Sequence, residues 1–214
     1  MNAFYTKPSL LDFSSNHEPS EQEFNINIWG PIIEAIFSNT IVQVKSGDTV
    51  LKSFDRKFKI DYRLGLIINQ GFIDMANIEI GRKETGTKVK DDHLQLLLEA
   101  KTIIQKAISS LSFIYPPSFT VTSFHICGIK GDLVQTSLDS SNFTTKRTSK
   151  RVLIPLSPNH SEELALLLQQ LMMYKDKVEN MATFLKEEVN KALDRRSSFD
   201  PFLSPSYKKN LKLS

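Results

Sequence analysis

A single cysteine, Cys127, stands in a chain of 214 residues, so no internal disulfide can form and a disulfide-stapled secreted class is disfavoured. It lies in the apolar run Phe124, His125, Ile126, Cys127, which reads as strand and marks the thiol as an inert core residue. The four histidines, His17, His93, His125 and His160, are dispersed, and with one cysteine they compose no standard zinc cluster. Gly65, Gly71 and Gly81 lack the spacing and the strand-to-helix setting of a dinucleotide fingerprint. No serine sits in a Gly-x-Ser-x-Gly elbow, which leaves an acyl-transfer triad without support. No apolar run approaches the ~20 residues of a membrane span. The N-terminus lacks the basic-then-apolar design of a secretory signal. These absences predict an intracellular chain with no membrane partner.

Charge of one sign is also scarce. Lys and Arg number 27 against 24 Asp and Glu, a net charge of +3. That average is too small to argue for nucleic acid, so the placement of the positive charge matters more than its sum. Hydrophobic residues at 40% and charged residues at 24% are those of a soluble globular protein with one sizeable core. The expected organisation is a disordered arm over 1–20, a single domain over 21–194 and a flexible basic tail over 195–214. The tail holds Arg195, Arg196, Lys208, Lys209 and Lys212 against Asp200. It is either a solvated terminus or an aid in holding phosphates.

Periodicity supplies the elements. Phe24, Ile28, Ile32, Ala35 and Ile36 recur at three or four residues, a helix from Glu21 that Gly30-Pro31 should kink or restart. Residues 41–45 and 49–53 are rich in β-branched side chains, and Ser46-Gly47-Asp48 between them predicts a hairpin turn. Strict alternation over 58–64 puts Ile60, Tyr62 and Leu64 on one face and Asp61 and Arg63 on the other. Residues 72–80 form the next strand, where the alternation slips and a bulge is expected. Asp91 and Asp92 read as the acidic start of a helix carrying Leu94, Leu97, Leu98, Ala100, Ile104, Ala107, Ile108 and Leu111.

Lys101 falls at the edge of that apolar arc, where it either snorkels past the core rim or reaches over the sheet. After Pro116-Pro117, 119–128 and 132–138 read as strands around a turn at Lys130-Gly131. A basic loop follows over 139–150, then a short strand over 151–156. A last helix opens at Ser161-Glu162-Glu163, with Leu164, Leu168, Leu171, Val178, Ala182, Leu185, Val189 and Ala192 spaced four and three. It should run on the order of 45 Å, and its stripe offers a seam for a homodimer or a partner helix over 161–193. The predicted class is α/β bordering on α+β, a mixed central sheet flanked by helices.

An acid on one strand (Asp61), an acid at the end of the next (Glu79), a basic pair just after it (Arg82, Lys83) and a helical lysine (Lys101) fit a metal-dependent phosphodiesterase. They equally fit an ordinary α/β domain with charged surface residues. In order and spacing the chain resembles the core of the PD-(D/E)XK nuclease superfamily. More closely, it is similar to an uncharacterised family expanded in mucoromycete-type fungi. The matching pieces are Gly47-Asp48-Thr49, Lys59-Ile60-Asp61, Ile78-Glu79, Leu97-Leu98-Glu99-Ala100-Lys101 and Ile126-Cys127-Gly128-Ile129-Lys130-Gly131.

The resemblance implies a restriction-endonuclease-like core and a Mg²⁺ site of Asp61 and Glu79, with Glu34 matching the acid some members place on the first helix. It implies hydrolysis of DNA or RNA phosphodiesters, or a degenerate nucleic-acid-binding derivative. Magnesium takes oxygen ligands and keeps several waters, one of which becomes the nucleophile. The pattern departs at the lysine. Two residues after Glu79 stands Gly81, so Lys101 would have to serve from the helix. Lys146, Arg147, Lys150 and Arg151, with Arg82 and Lys83, are the candidate phosphate contacts. A non-catalytic interaction module built on the C-terminal helix is the alternative.

Overall fold

The computed structural model describes residues 19–52, 57–68, 71–81, 86–111, 113–148, 150–155 and 159–199. The arm over 1–18, the pair Arg82 and Lys83, and residues 200–214 of the tail lie outside them. Among the described residues no helix is long and apolar enough to cross a membrane.

Ser20 caps the first helix of the described residues. Its hydroxyl accepts from the Glu23 N–H (3.2 Å) and its own N–H donates to the Glu23 carboxylate (2.7 Å), a reciprocal cap on helix α1 (Glu21–Phe24). A π-helical turn, Asn25–Trp29, carries the chain into α2 (Gly30–Phe37). The interruption expected at Gly30-Pro31 therefore takes the form of one widened turn. In it the Gly30 N–H donates to the Asn25 carbonyl, which eases the clash a proline ring makes with the carbonyl four residues back. Trp29 on this turn is fully buried, donates its indole N–H to the Gly128 carbonyl at 2.7 Å and meets Phe124 edge-on at 5.5 Å.

A Cβ on Gly30 would lie 2.8 Å from the Asn25 carbonyl oxygen and 2.9 Å from the Tyr62 hydroxyl. Gly30→Ala is therefore expected to cost about 1–3 kcal/mol, because backbone on one side and a hydrogen-bonded phenol on the other must shift. Urea melts at constant slope check this; an unchanged midpoint would show that the turn yields freely.

The sheet runs β1 (Gln43–Lys52), β2 (Lys57–Ile68), β3 (Gly71–Gly81), β4 (Thr120–Cys127), β5 (Lys130–Asp139), β6 (Asn142–Arg147), in that spatial order, with β7 (Val152–Leu153) on β5 beside β6. The first three strands form an antiparallel meander. Helix α3 (Gly86–Ser110) then crosses over, so β4 returns parallel to β3, and β5 and β6 continue antiparallel. The mixed sheet with flanking helices is the α/β class the periodicity predicts.

One face carries Ile60, Tyr62, Leu64, Ala76, Ile78, Ile80, Phe124 and Ile126, all buried beneath the N-terminal helices and α4 (Ser161–Phe199). There Tyr174 of α4 packs on Phe124 (5.5 Å) and Phe37 (5.9 Å). The other face is more polar and lies under α3, which buries Leu96, Ala100, Ile103, Ile104 and Ala107.

Several boundaries differ from the sequence expectation. Residues 43–52 are one strand, not a hairpin. Gly47, at φ +76°, lets Gly47 and Asp48 stand opposite the single residue between Ile60 and Tyr62 as a bulge. The slip expected in the following strand is also a bulge, at Met75 between the pairs Leu64–Ala76 and Gly65–Asp74. Helix α3 starts at Gly86, so Asp91 and Asp92 lie in its second turn instead of capping it. The turn between β4 and β5 is Gly128-Ile129, with Gly128 at φ +59°, not Lys130-Gly131. The basic loop contains a strand, β6, and the helix expected to end near 194 continues to Phe199, about 58 Å at 1.5 Å per residue.

The stripe on α4 that suggested a partner seam faces the chain's own sheet. Leu167, Leu171, Tyr174, Val178, Ala182 and Leu185 are buried in the core. Tyr174 fills the position beside Lys175, which pairs outward with Glu179 at 3.7 Å, and Leu168 points out.

Candidate functional site

The acid pair sits on the polar face. Tyr62 stands opposite Ile78 and Arg63 opposite Asn77, a register that sets Asp61 opposite Glu79. The Asp61 carboxylate accepts the N–H of Ile80 at 2.8 Å, which ties one oxygen to the strand bearing Glu79. β4 then places His125 beside Glu79, and β5 places Asp132 beside His125. Asp61, Glu79, His125 and Asp132 thus form a row across four strands of one face, because alternation gives that face every second residue.

Beneath the row lies a buried polar chain. The Ser123 hydroxyl donates to Asn77 Oδ1 (2.6 Å), the Asn77 amide donates to Glu99 Oε2 (2.8 Å), and the Gln95 amide donates to Glu99 Oε1 (2.9 Å). Glu99, on α3, is fully buried. In the sequence Glu99 stands inside a matching motif that assigns it no role. The available signal was a glutamate beside Ala100 on the apolar arc of its helix.

Burial is the first cause that pushes the Glu79 carboxyl up to about 9; Glu99, Asp61, Asp92 and Glu21 raise it further. Glu79 Oε2 is a buried oxygen with no hydrogen-bond partner in the described structure. Glu99 is pushed up to about 7 by burial, against which the hydrogen bonds from Gln95 and Asn77 pull it down. A crowd of carboxyl groups in a dry place keeps its protons.

The remaining expected residues do not join the pair. The Lys101 ammonium lies over the Phe143 ring, 5.2 Å from its centroid. Phe143 belongs to β6, three strands from Glu79, on the order of 14 Å at ~4.8 Å per strand. The lysine substitution from the helix is therefore not formed: the Lys101 amine is engaged at Phe143 on β6. Glu34 is exposed on α2, and its charge is felt by Tyr62, whose ring lies on the opposite face from Asp61. The first-helix acid that bears on Glu79 is Glu21.

Lys146, Arg147, Lys150 and Arg151 are exposed around the far end of the sheet. Arg147 and Arg151 both reach Asp132, at 3.5 and 2.9 Å. Cys127 is buried, its sulfur 3.7 Å from His125 Nε2.

Among the described residues no three His, Cys, Asp or Glu side chains are grouped to hold a metal ion. The donor set does not suit an ion that demands a full protein cage. It suits Mg²⁺, which takes one or two carboxylates and keeps its other positions for water and phosphate oxygens. The unpartnered Glu79 oxygen next to Asp61 is the observation that fits such an ion. No protein-family model, curated protein or solved structure matches this chain.

Proposed function

We propose that this chain is a nuclease-like domain of the PD-(D/E)XK kind, in which Asp61 and Glu79 hold Mg²⁺ for hydrolysis of nucleic-acid phosphodiesters. The observation that carries the reading is the cross-strand acid pair with a buried, unpartnered Glu79 oxygen. It is supported by the order helix, three strands with the acids on the second and third, helix and a further strand, which is the order on which the resemblance rests. When bound, the cation would supply an activated water and offset charge gathering on the phosphate.

The protein's own residues prepare that site. The Ile80 N–H fixes Asp61, and Glu99, held from both sides by Asn77 and Gln95, adds negative charge behind Glu79. In the absence of a cation the Glu79 carboxyl keeps its proton at neutral pH, so cation binding displaces that proton and strengthens as pH rises. A second reading, binding without hydrolysis, is favoured by Lys101, whose amine is engaged at Phe143 and not at the acids.

The test is cleavage of plasmid and single-stranded DNA and of RNA with Mg²⁺ or Mn²⁺. Asp61→Asn and Glu79→Gln should each lower the rate by about 10²-fold or more, the scale of losing a group that stabilises transition-state charge. Cleavage that survives both substitutions belongs to another site or a contaminant. Binding with no cleavage under any divalent ion selects the second reading.

A further inference from the structure

β6 and β7 share the outer edge of β5. β6 pairs with it from Val134 to Asp139 and β7 at Lys130 and Gly131, and the gap between them falls at Asp132. The residues flanking the gap are Arg147, the last of β6, and Arg151, just before β7. Asp132 is nearly covered, at 13% exposure, and its carboxylate is shared. Arg151 approaches in fork fashion, Nη2 at 2.9 Å and Nε at 3.3 Å, and Arg147 Nε stands at 3.5 Å. Both arginine side chains are exposed, at 59% and 41%. The Thr148 N–H donates to the Leu133 carbonyl at 2.9 Å, which ties the chain just after Arg147 to β5.

Asp132 is the end of the row that begins at Asp61 and Glu79 and passes through His125. From β3 to β5 the row spans about 10 Å at ~4.8 Å per strand. That is about three stacked steps of a polynucleotide strand at 3.4 Å each. A planar, forked guanidinium pair suits a phosphate group, and its pre-set geometry loses little freedom on binding one.

We propose that Arg147 and Arg151, set by Asp132, are an anchor for a backbone phosphate a few nucleotides away from the acid pair. This makes the partner a polynucleotide and not a mononucleotide or an isolated diester. The anchor rests on the nucleic-acid reading above but not on hydrolysis, since it needs no cation.

Binding and cleavage are read separately. Anisotropy of a labelled oligonucleotide, single-stranded and duplex, is followed in chelator from about 50 to about 200 mM salt, the span over which phosphate contacts register strongly. Arg147→Gln with Arg151→Gln should weaken binding about tenfold or more at the low-salt end. It should reduce the slope of log affinity against log salt by about 0.7–0.9, the share of one phosphate contact. Arg147→Gln alone changes an exposed side chain at the end of an edge strand and should lower affinity and slope in the same direction by a smaller amount, so a folding defect in the double variant leaves the test intact. Unchanged affinity and slope in both variants, or no binding by the wild type in chelator, overturns the anchor. Arginine-dependent binding without cleavage in Mg²⁺ sinks the hydrolytic reading alone. Acid-dependent cleavage with arginine-independent binding sinks the anchor alone.

Discussion

Glu79→Gln, measured in chelator, is expected to make the protein more stable at pH 8, by on the order of 2–4 kcal/mol, and no more stable at pH 4. The folded-state Glu79 pKa is about 9 against an ordinary 4.5. Between those values the unfolded chain has released the proton and the folded chain keeps it. Stability contributed by the protonated carboxyl is therefore fully present below pH 4.5 and is lost as pH rises towards 9. Glutamine fills nearly the same volume and has no proton to lose, so this loss disappears. Thermal melts at pH 4, 6 and 8 check the sign. An advantage of about 5–10 °C should open as pH rises, given about 2–4 °C per kcal/mol for a chain of this size.

Part of the pH dependence must remain in the variant, because Glu99, at about 7, loses stability in the same direction between 4.5 and 7. Mg²⁺ divides the outcome further. If the cation sits on Asp61 and Glu79, it should raise the wild-type melting temperature at pH 8 and leave Glu79→Gln unmoved. A variant with the wild-type pH profile would mean that water reaches Glu79 and that the crowding inferred around it is relieved.

The acids on β2 and β3 were legible in the sequence because strand periodicity is two: once 58–64 alternates, Asp61 must face away from Ile60 and Tyr62. What was not legible is what neighbours that face across the sheet. His125 and Asp132 fall in line with Glu79 only through a parallel pairing and an antiparallel one, which a single sequence does not encode at any fixed spacing. The position of Lys101 is hidden from the sequence for a related reason. Its helical phase says which side of α3 it occupies, but the angle at which α3 crosses the strands decides which strand it meets, and that strand is β6.

β6 itself was hidden because Asn142, Thr144, Thr145, Lys146 and Arg147 on an exposed edge carry no apolar alternation. Polar side chains on an edge strand protect it from pairing with other chains, and they also make it read as a loop. Gly47 misled in the opposite direction. A glycine between two β-branched runs signals a turn, whereas here its positive φ accommodates an extra residue within one continuous strand. The helix stripe of α4 reads as an apolar seam, yet the seam alone does not say whose surface it meets. Tyr174 against Phe37 and Phe124 answers that.

Asn77→Ala should be the most damaging single change among the polar residues, with a cost of about 3 kcal/mol that grows with pH. Asn77 is fully buried, donates to Glu99 and accepts from Ser123. Its removal strands both, and a buried carboxyl or hydroxyl without a partner costs about 1–3 kcal/mol, the carboxyl more once ionised. In the wild type the Asn77 hydrogen bond pulls the Glu99 pKa down, against burial, to about 7. Without it the Glu99 pKa rises further, so the variant should lose most relative to wild type above pH 7, where the wild-type carboxylate is ionised and held. At pH 5.5, where Glu99 is protonated in both proteins, the gap should narrow. Urea midpoints at pH 5.5 and 8 separate this from a simple cavity, whose cost is indifferent to pH. Equal losses at the two pH values would remove Glu99 from the electrostatics of the site. They would leave Asp61 as the main neighbour holding the proton on Glu79.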